Sequence, residues 1–299
     1  MRVVSLGSGS SGNALLIEAG PQGRTKLLVD AGLSGRLMVE RLRLVGVDPS
    51  LLLGVLLTHE HSDHIVGLPS LMRRYAVSAI ADPRTYKAFE EYLTSGLVRT
   101  DTGKLVSTLT EEEIAPMTPR KYLPLEVGSQ RIIGDVEVTS FPVSHDAVAP
   151  CGYLLRAGGC RVCVAIDSGE VTSAMLEVMQ HADLLVLESN HDRQRLLRGP
   201  YPYMLKQRIL STNGHLSNDQ AADAVLRLWR SDGVRWLWLS HLSRTNNTPL
   251  LALTSMRTRL QEAKANPAQV HISVLPPAIG GVWDSTQLWH APSLWEMSH

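Results

Sequence analysis

The sequence predicts an α/β layered fold, sheets covered by helices, and two observations carry that prediction. Apolar runs of strand length alternate with segments of helical apolar spacing along the chain, and several of the runs end abruptly in histidine or aspartate. The 299 residues are 44 % hydrophobic and 19 % charged, an ordinary globular balance with ample material for a core.

Taken in order, strands are expected at Arg2 to Leu6, Ala14 to Glu18, Lys26 to Asp30 and Leu53 to Thr58. Leu33, Leu37, Leu42 and Val45 mark a helix before the last of these, and a further helix runs from Ser62 to about Tyr75. A strand at Ser78 to Ala81 and a helix near Thr85 to Leu93 follow. Ser95 to Pro119, punctuated by Gly, Thr and Pro and carrying Glu111-Glu112-Glu113, reads as an excursion or flexible loop. A strand-rich block then covers Arg131 to Ile133, Val136 to Phe141, Gly152 to Arg156 and Arg161 to Asp167. Alternation resumes with a helix at Thr172 to Gln180, a strand at Asp183 to Glu188 and a helix from about Asn218 to Trp229. A strand at Trp236 to Ser240 and a helix at Pro249 to Ala263 complete it. The chain reads as one domain over 1–299, with an excursion at 95–119 and a C-terminal tail after about 276.

Composition excludes several classes. Lys plus Arg (29) equals Asp plus Glu (29), so no global field draws a polyanion, and affinity for one must come from a local patch or from metals. No apolar run is long enough to span a membrane, and the N-terminus lacks the basic-then-apolar pattern of a signal peptide, so no membrane partner and a cytoplasmic location are expected. Cys160 and Cys163 are spaced C-x2-C without a second half, and Cys151 stands apart. They are expected as buried free thiols.

The most informative segment is Thr58-His59-Glu60-His61-Ser62-Asp63-His64, which follows the apolar run Leu51 to Leu57. Alternation puts His59 and His61 on one side, and Asp63 and His64 fall in the next helical turn. Imidazoles beside a carboxylate suit zinc, manganese or iron, and so many ligands in one segment suggest two metals. Three more apolar runs end in ligand types, at His145, Asp167 and His241. Singly each has a bland reading as a loop, cap or surface residue, but together they form an H-x-H-x-D-H … H … D … H set.

That set resembles the metallo-β-lactamase superfamily over nearly the whole chain. The resemblance implies an αββα sandwich with a dinuclear metal site at the sheet edge. It implies His59, His61 and His145 on one divalent ion, Asp63, His64 and His241 on the other, and Asp167 bridging. A hydroxide between two Zn2+ or Mn2+ ions would then be the nucleophile.

Other segments narrow the substrate. Ser5 to Asn13 is a glycine-serine turn lacking the lysine of a phosphate-binding P-loop. Leu187 to Asp192 gathers polar groups at a strand end. Arg193, Arg195, Arg198, Lys206 and Arg208, interleaved with Tyr201 and Tyr203, form a local basic patch suited to nucleic acid. His215, in Asn213-Gly214-His215-Leu216-Ser217-Asn218, lies at an expected helix N-terminus, a place that favours phosphate. Together with Leu239 to Ser243, Asn246 and Asn247, these segments resemble the YycJ/WalJ branch of the superfamily. That branch implies a 5′ to 3′ exonuclease acting on DNA with a free 5′ end, with a role in DNA repair. The expected catalytic residues are Asp63 and His215, and the expected substrate contacts are Ser10, Asn13, Glu188, Asn190, Arg193 and Asn247. The alternatives are a β-CASP-like RNA-processing nuclease, for which the stretch between Asp192 and His215 is short, and a hydrolase of lactones, thioesters or cyclic phosphates.

Overall fold

The apolar runs assemble into two seven-stranded sheets in the computed structural model of the protein, which describes residues 1–100, 102–109, 121–228, 235–266 and 269–288. The first half supplies β1 (Arg2–Gly7), β2 (Ala14–Ala19), β3 (Thr25–Val29), β4 (Gly54–Leu56) and β5 (Ser78–Ala81). A separate ribbon holds β6 (Leu97–Arg99) and β7 (Leu105–Ser107), and β8 (Tyr122–Pro124) returns to the sheet. The second half supplies β9 (Gln130–Ile133), β10 (Val136–Pro142), β11 (Cys151–Ala157), β12 (Cys160–Ala165), β13 (Leu184–Glu188), β14 (Arg235–Ser240) and β15 (Val270–Val274). Finally β16 (Gly280–Asp284) crosses back to pair with β1. The sheet orders are β16-β1-β2-β3-β4-β5-β8 and β15-β14-β13-β12-β11-β10-β9.

Both faces of each sheet are covered, which explains why strands such as β13 read as continuous apolar runs rather than alternating ones. Val3, Ile17, Val29 and Leu56 of the first sheet pack on Val138, Tyr153, Val164 and Val186 of the second. Outside the first sheet, Met38, Leu42, Leu71 and Phe89 from helices cover Val4, Leu16, Leu28 and Val55. Outside the second, Met175, Val225 and Met256 cover Leu154, Cys163 and Leu237. This is the expected αββα sandwich. The three cysteines are free and buried. Among the described residues no helix is long and apolar enough to cross a membrane.

Two local expectations are corrected, the single helix from Ser62 to Tyr75 and the tail after about 276. The helix from Ser62 to Tyr75 is two helices, Ser62–Ile65 and Leu68–Tyr75. They break at Gly67, where a Cβ would collide with the carbonyl oxygen of Leu33, and Pro69 lacks the N–H to continue the first helix. The described part of the expected excursion or flexible loop after Ser95 carries the β6–β7 ribbon, apart from both large sheets. The remainder of that expected excursion, residue 101 and residues 110–119, lies outside the described residues, as do Trp229 and residues 289–299. The chain beyond 276 does not begin as a tail. It contains β16, whose Trp283 is fully buried between the sheets. The basic stretch after Asp192 folds as two short helices, Arg193–Arg198 and Tyr203–Leu210.

Candidate metal centre

The carboxyl ends of β3, β4, β12, β13 and β14 meet at one edge of the sandwich, and the candidate ligands sit there. Leu57 and Thr58 carry the chain out of β4, and His61 occupies the position before the Ser62–Ile65 helix, so Asp63 and His64 lie in its first turn. The loop is pressed against its neighbours. A Cβ at Gly32 would collide with the carbonyl oxygen of Asp63. Asp30, Asp167 and His241, which follow β3, β12 and β14, have φ values of 62°, 59° and 53°. Non-glycine residues rarely adopt this region, and each costs about 1–3 kcal/mol that the surrounding packing must offset. Strain of that kind at three strand ends accompanies a functional constraint.

The ligand types gather as the sequence predicts. His59, His61 and His145 bring one ligand atom each to within 4.8 Å of one another. Asp63, His64, Asp167 and His241 form a second such group. Asp167 links the two, with Oδ2 at 3.4 Å from His59 Nε2 and 2.7 Å from His64 Nε2. A third group, Asp167, Glu188, His215 and His241, shares two members with the second. All these side chains are buried.

Each ring is oriented from behind. His64 Nδ1 donates to Asp30 Oδ2 at 2.8 Å. His59 Nδ1 donates to Thr58 Oγ1 at 3.0 Å, and that hydroxyl donates to Asp30 Oδ2 at 2.9 Å. His145 Nδ1 donates to the carbonyl of Gly214 at 3.0 Å, and His241 Nδ1 lies between Asp167 Oδ1 and Glu188 Oε1, the latter at 3.1 Å. The His59, His64 and His145 rings therefore present Nε2 to the site, the arrangement found behind metal-ligating histidines.

The atoms so presented fit a metal and fit little else. His59 Nε2, His61 Nε2 and Asp63 Oδ1 are buried without a hydrogen-bond partner, and the Asp167 oxygens and His241 Nε2 meet only other groups of the same site. Leaving that many polar atoms unmet is costly. His61 Nδ1 and His145 Nε2 face each other at 3.3 Å. Two ligand atoms on a tetrahedral ion with bonds of 2.0–2.1 Å stand about 3.4 Å apart.

Electrostatics divides the site. Burial and the neighbouring imidazoles hold His59 well below its ordinary value, and burial with His145 pulls His61 down to about 3. Burial also lowers His145. These rings are neutral, the form a metal requires. Around His64 and His241 burial acts the same way, but Asp30, Asp63 and Asp167 raise the former and Asp167, Asp63 and Glu188 the latter, both well above the ordinary value. The carboxylates there demand positive charge, as protons or as cations.

Beside this group lies His215, whose Nδ1 is 2.7 Å from Glu188 Oε1. Burial alone would lower His215, but Glu188 and Asp167 raise it to about 10. The ring sits two residues before Ser217, which caps the Asn218–Arg227 helix in a reciprocal pair with Gln220. Asn218 N is bonded to the carbonyl of His191 and Gln220 N to Ser217 Oγ, so these two donors of the helix start are taken within the protein rather than left to a phosphate.

Several expected substrate contacts are instead internal braces. Glu188 is fully buried, and its second oxygen accepts from Ser168 N and Leu216 N. Asn190 donates to the carbonyl of His241 at 3.0 Å, and Asn247 donates to the carbonyls of Ser189 and Asn190. Asn13 accepts from Gly9 N and turns its amide to Asp63 and His64. Ser10 is partly exposed and Arg193 exposed. Within the basic patch Arg208 forms a two-pronged pair with Asp146, and Lys206 donates to the carbonyl of Leu197. Sequence reasoning missed Asp30, although it ends an apolar run as Asp167 does.

Comparison with known proteins agrees with this geometry. The chain is similar to exodeoxyribonuclease WalJ of Streptococcus pneumoniae, with 38% identity over 260 residues, 86% of this chain and 87% of that protein. It is similar to exodeoxyribonuclease YycJ of Bacillus anthracis, with 37% identity over 257 residues, 86% and 88% of the two. The fold matches the crystal structure of the metallo-beta-lactamase fold protein YhfI from Bacillus subtilis, with a TM-score of 0.63 at 18% identity over 94% of this chain and 98% of that one. Residues 25–241 match the family model described as the beta-lactamase superfamily domain, and the chain belongs to that superfamily.

Proposed function

We propose that the protein is a metal-dependent phosphodiesterase that removes nucleotides from the 5′ end of DNA, in the cytoplasm and in the service of DNA repair. One observation carries the reading. Two groups of buried, unmet ligand atoms meet at Asp167 beside an imidazole held by a carboxylate, in a chain whose relatives are named exodeoxyribonucleases over most of their length.

His59, His61 and His145 would hold one divalent ion, Asp63, His64 and His241 the other, and Asp167 would be shared. Zinc or manganese suits this donor set. Bound there, two such ions supply an ionised water near neutral pH and neutralise charge on the attacked diester. Asp63 keeps Oδ1 without a protein partner, so it can accept a hydrogen from the nucleophile and orient it. His215 commits Nδ1 to Glu188, so the proton it can hand to a leaving oxygen is the one on Nε2. Ser10 and Arg193 are the expected contacts left on accessible surface to hold the strand.

The test incubates the purified chain with Mn2+ or Zn2+ and duplex DNA labelled at one 5′ end, with labelled RNA in parallel. Release of labelled mononucleotide from DNA, absent in Asp63→Asn, is the expected result. Cleavage of RNA alone would move the reading to RNA processing. No cleavage of either by metal-loaded protein would sink it and direct attention to small esters.

A further inference from the structure

Strands β12, β13, β14 and β15 run parallel in adjacent positions, so their carboxyl ends lie in a row. The row reads Asp167, Glu188, His241 and then Leu275-Pro276-Pro277. The last step is one strand spacing, about 4.8 Å, and Leu275 N donates to the carbonyl of Leu239 at 2.9 Å. At that position a cavity of about 360 Å³ opens, lined by Ser8, Gly9, Leu242, Arg244, Pro276 and Pro277 among others. Its size is that of a small-molecule pocket.

One wall of the cavity is shared with the metal centre. Ser8 Oγ accepts from His241 N at 2.8 Å, and Ser8 N donates to the carbonyl of Pro276 at 3.1 Å. Gly9 N donates to Asn13 Oδ1, and the Asn13 amide faces Asp63 and His64. Of the residues that line the cavity, Ser8 is bonded to His241 and Leu242 follows it in sequence, so a group seated there lies beside the edge of the metal centre that His241 forms. The chemistry of the lining is divided. Leu242, Val274, Leu275 and the prolines give flat apolar surface, whereas Arg244 is exposed and uses one guanidinium nitrogen to donate to Ser11 Oγ at 2.7 Å. A flat apolar ring joined to an anion matches that lining. A phosphate contact to a guanidinium is among the stronger hydrogen bonds a surface makes.

We infer that this cavity is a nucleotide subsite: it receives the base and sugar of the nucleotide beside the attacked phosphate, with Arg244 holding a phosphate of the same strand. The inference rests on the nuclease reading and adds to it a residue that selects a nucleic-acid strand over a small ester.

The experiment compares wild type with Arg244→Glu, Arg244→Lys and Pro277→Trp, each loaded with Mn2+ and checked for metal content and thermal unfolding. Both positions are exposed, so folding is expected to survive. With 5′-labelled DNA, Arg244→Glu should raise KM about tenfold or more with kcat little changed, and Arg244→Lys should recover most of the loss. Pro277→Trp, which fills the cavity, should weaken DNA in the same way. Hydrolysis of bis(p-nitrophenyl) phosphate should stay within about twofold of wild type in all three. KM values for DNA equal to wild type in both Arg244→Glu and Pro277→Trp would overturn the subsite. A second readout is independent of DNA cleavage. Deoxyadenosine 5′-monophosphate should inhibit the small-diester reaction at lower concentration than inorganic phosphate, and Arg244→Glu should erase that advantage. Equal inhibition by the two anions in wild type, or an advantage that survives the substitution, overturns the subsite even if the chain proves not to cut DNA.

Discussion

His215 Nδ1 stands 2.7 Å from Glu188 Oε1, and both side chains are buried at the edge of the metal centre. Glu188 also accepts from His241 Nδ1, so one carboxylate orients both a candidate ligand and a candidate acid. Replacing His215 by alanine should lower turnover about 10²–10⁴-fold, the usual worth of a positioned acid, with metal content unchanged. Loss of one ion in that variant would instead make His215 a ligand. Glu188→Gln should move the alkaline limb of the pH–rate profile downward, because the carboxylate favours the protonated ring. A profile that keeps its alkaline limb in place would remove His215 from the acid's role.

Asp63 and Asp167 are both held well below the ordinary carboxylate range. Burial opposes ionisation in each case, but His64 and His241 outweigh it. Asp63→Asn and Asp167→Ala should each abolish hydrolysis while the far-ultraviolet spectrum stays that of the wild type. Neither side chain belongs to the apolar clusters that join the sheets and helices, so the sandwich keeps its packing in both variants. Wild-type turnover in either variant would refute the assignment of the site.

Asp30 never faces the substrate in this reading, yet it holds Thr58 through both backbone and hydroxyl and His64 through Nδ1. Partners of this kind are worth about 10–100-fold in metal affinity. Asp30→Ala should show that loss in competition with a chromogenic chelator, and excess metal should restore much of the activity. Unchanged affinity would mean that Thr58 alone fixes the two rings.

Legibility followed the range of the physics. His59, His61, Asp63 and His64 could be read because one strand and one helical turn place them, and His145, Asp167 and His241 because each ends an apolar run. Asp30 ends such a run too, but its role depends on β3 lying parallel to β4, which sets it against Thr58. Glu188, Asn190 and Asn247 looked like substrate contacts because polar clusters at strand ends are the same whether they face a ligand or loop carbonyls. Only the three-dimensional neighbours decide. Strands β15 and β16 escaped notice because both are sheet edges, where partial exposure blurs the apolar pattern.

The two sheets are also clamped away from the metal centre, and the clamp sets an acid limit. Asp135, in the turn between β9 and β10, accepts from Arg24 Nε at 2.9 Å, from Arg24 Nη2 at 2.6 Å and from Thr25 Oγ1 at 2.7 Å. Thr25 opens β3 and Arg24 directly precedes it, so the contact ties the first sheet to the second. The hydrogen bonds from Arg24 and Thr25 hold the Asp135 carboxyl down to about 2, against a small opposing effect of burial. An unfolded aspartate titrates near about 3.9. The folded value is the lower, so the stabilisation is fully present above about pH 4 and is lost as pH falls through about 2. In chelator-treated protein, where the metal centre contributes equally to both forms, Asp135→Asn should lower the urea midpoint at pH 7. The gap should close between about pH 4 and pH 2 with unchanged slope. A gap that persists at pH 2 would show that the amide loses packing rather than charge, and the carboxylate would then be no acid-sensitive clamp.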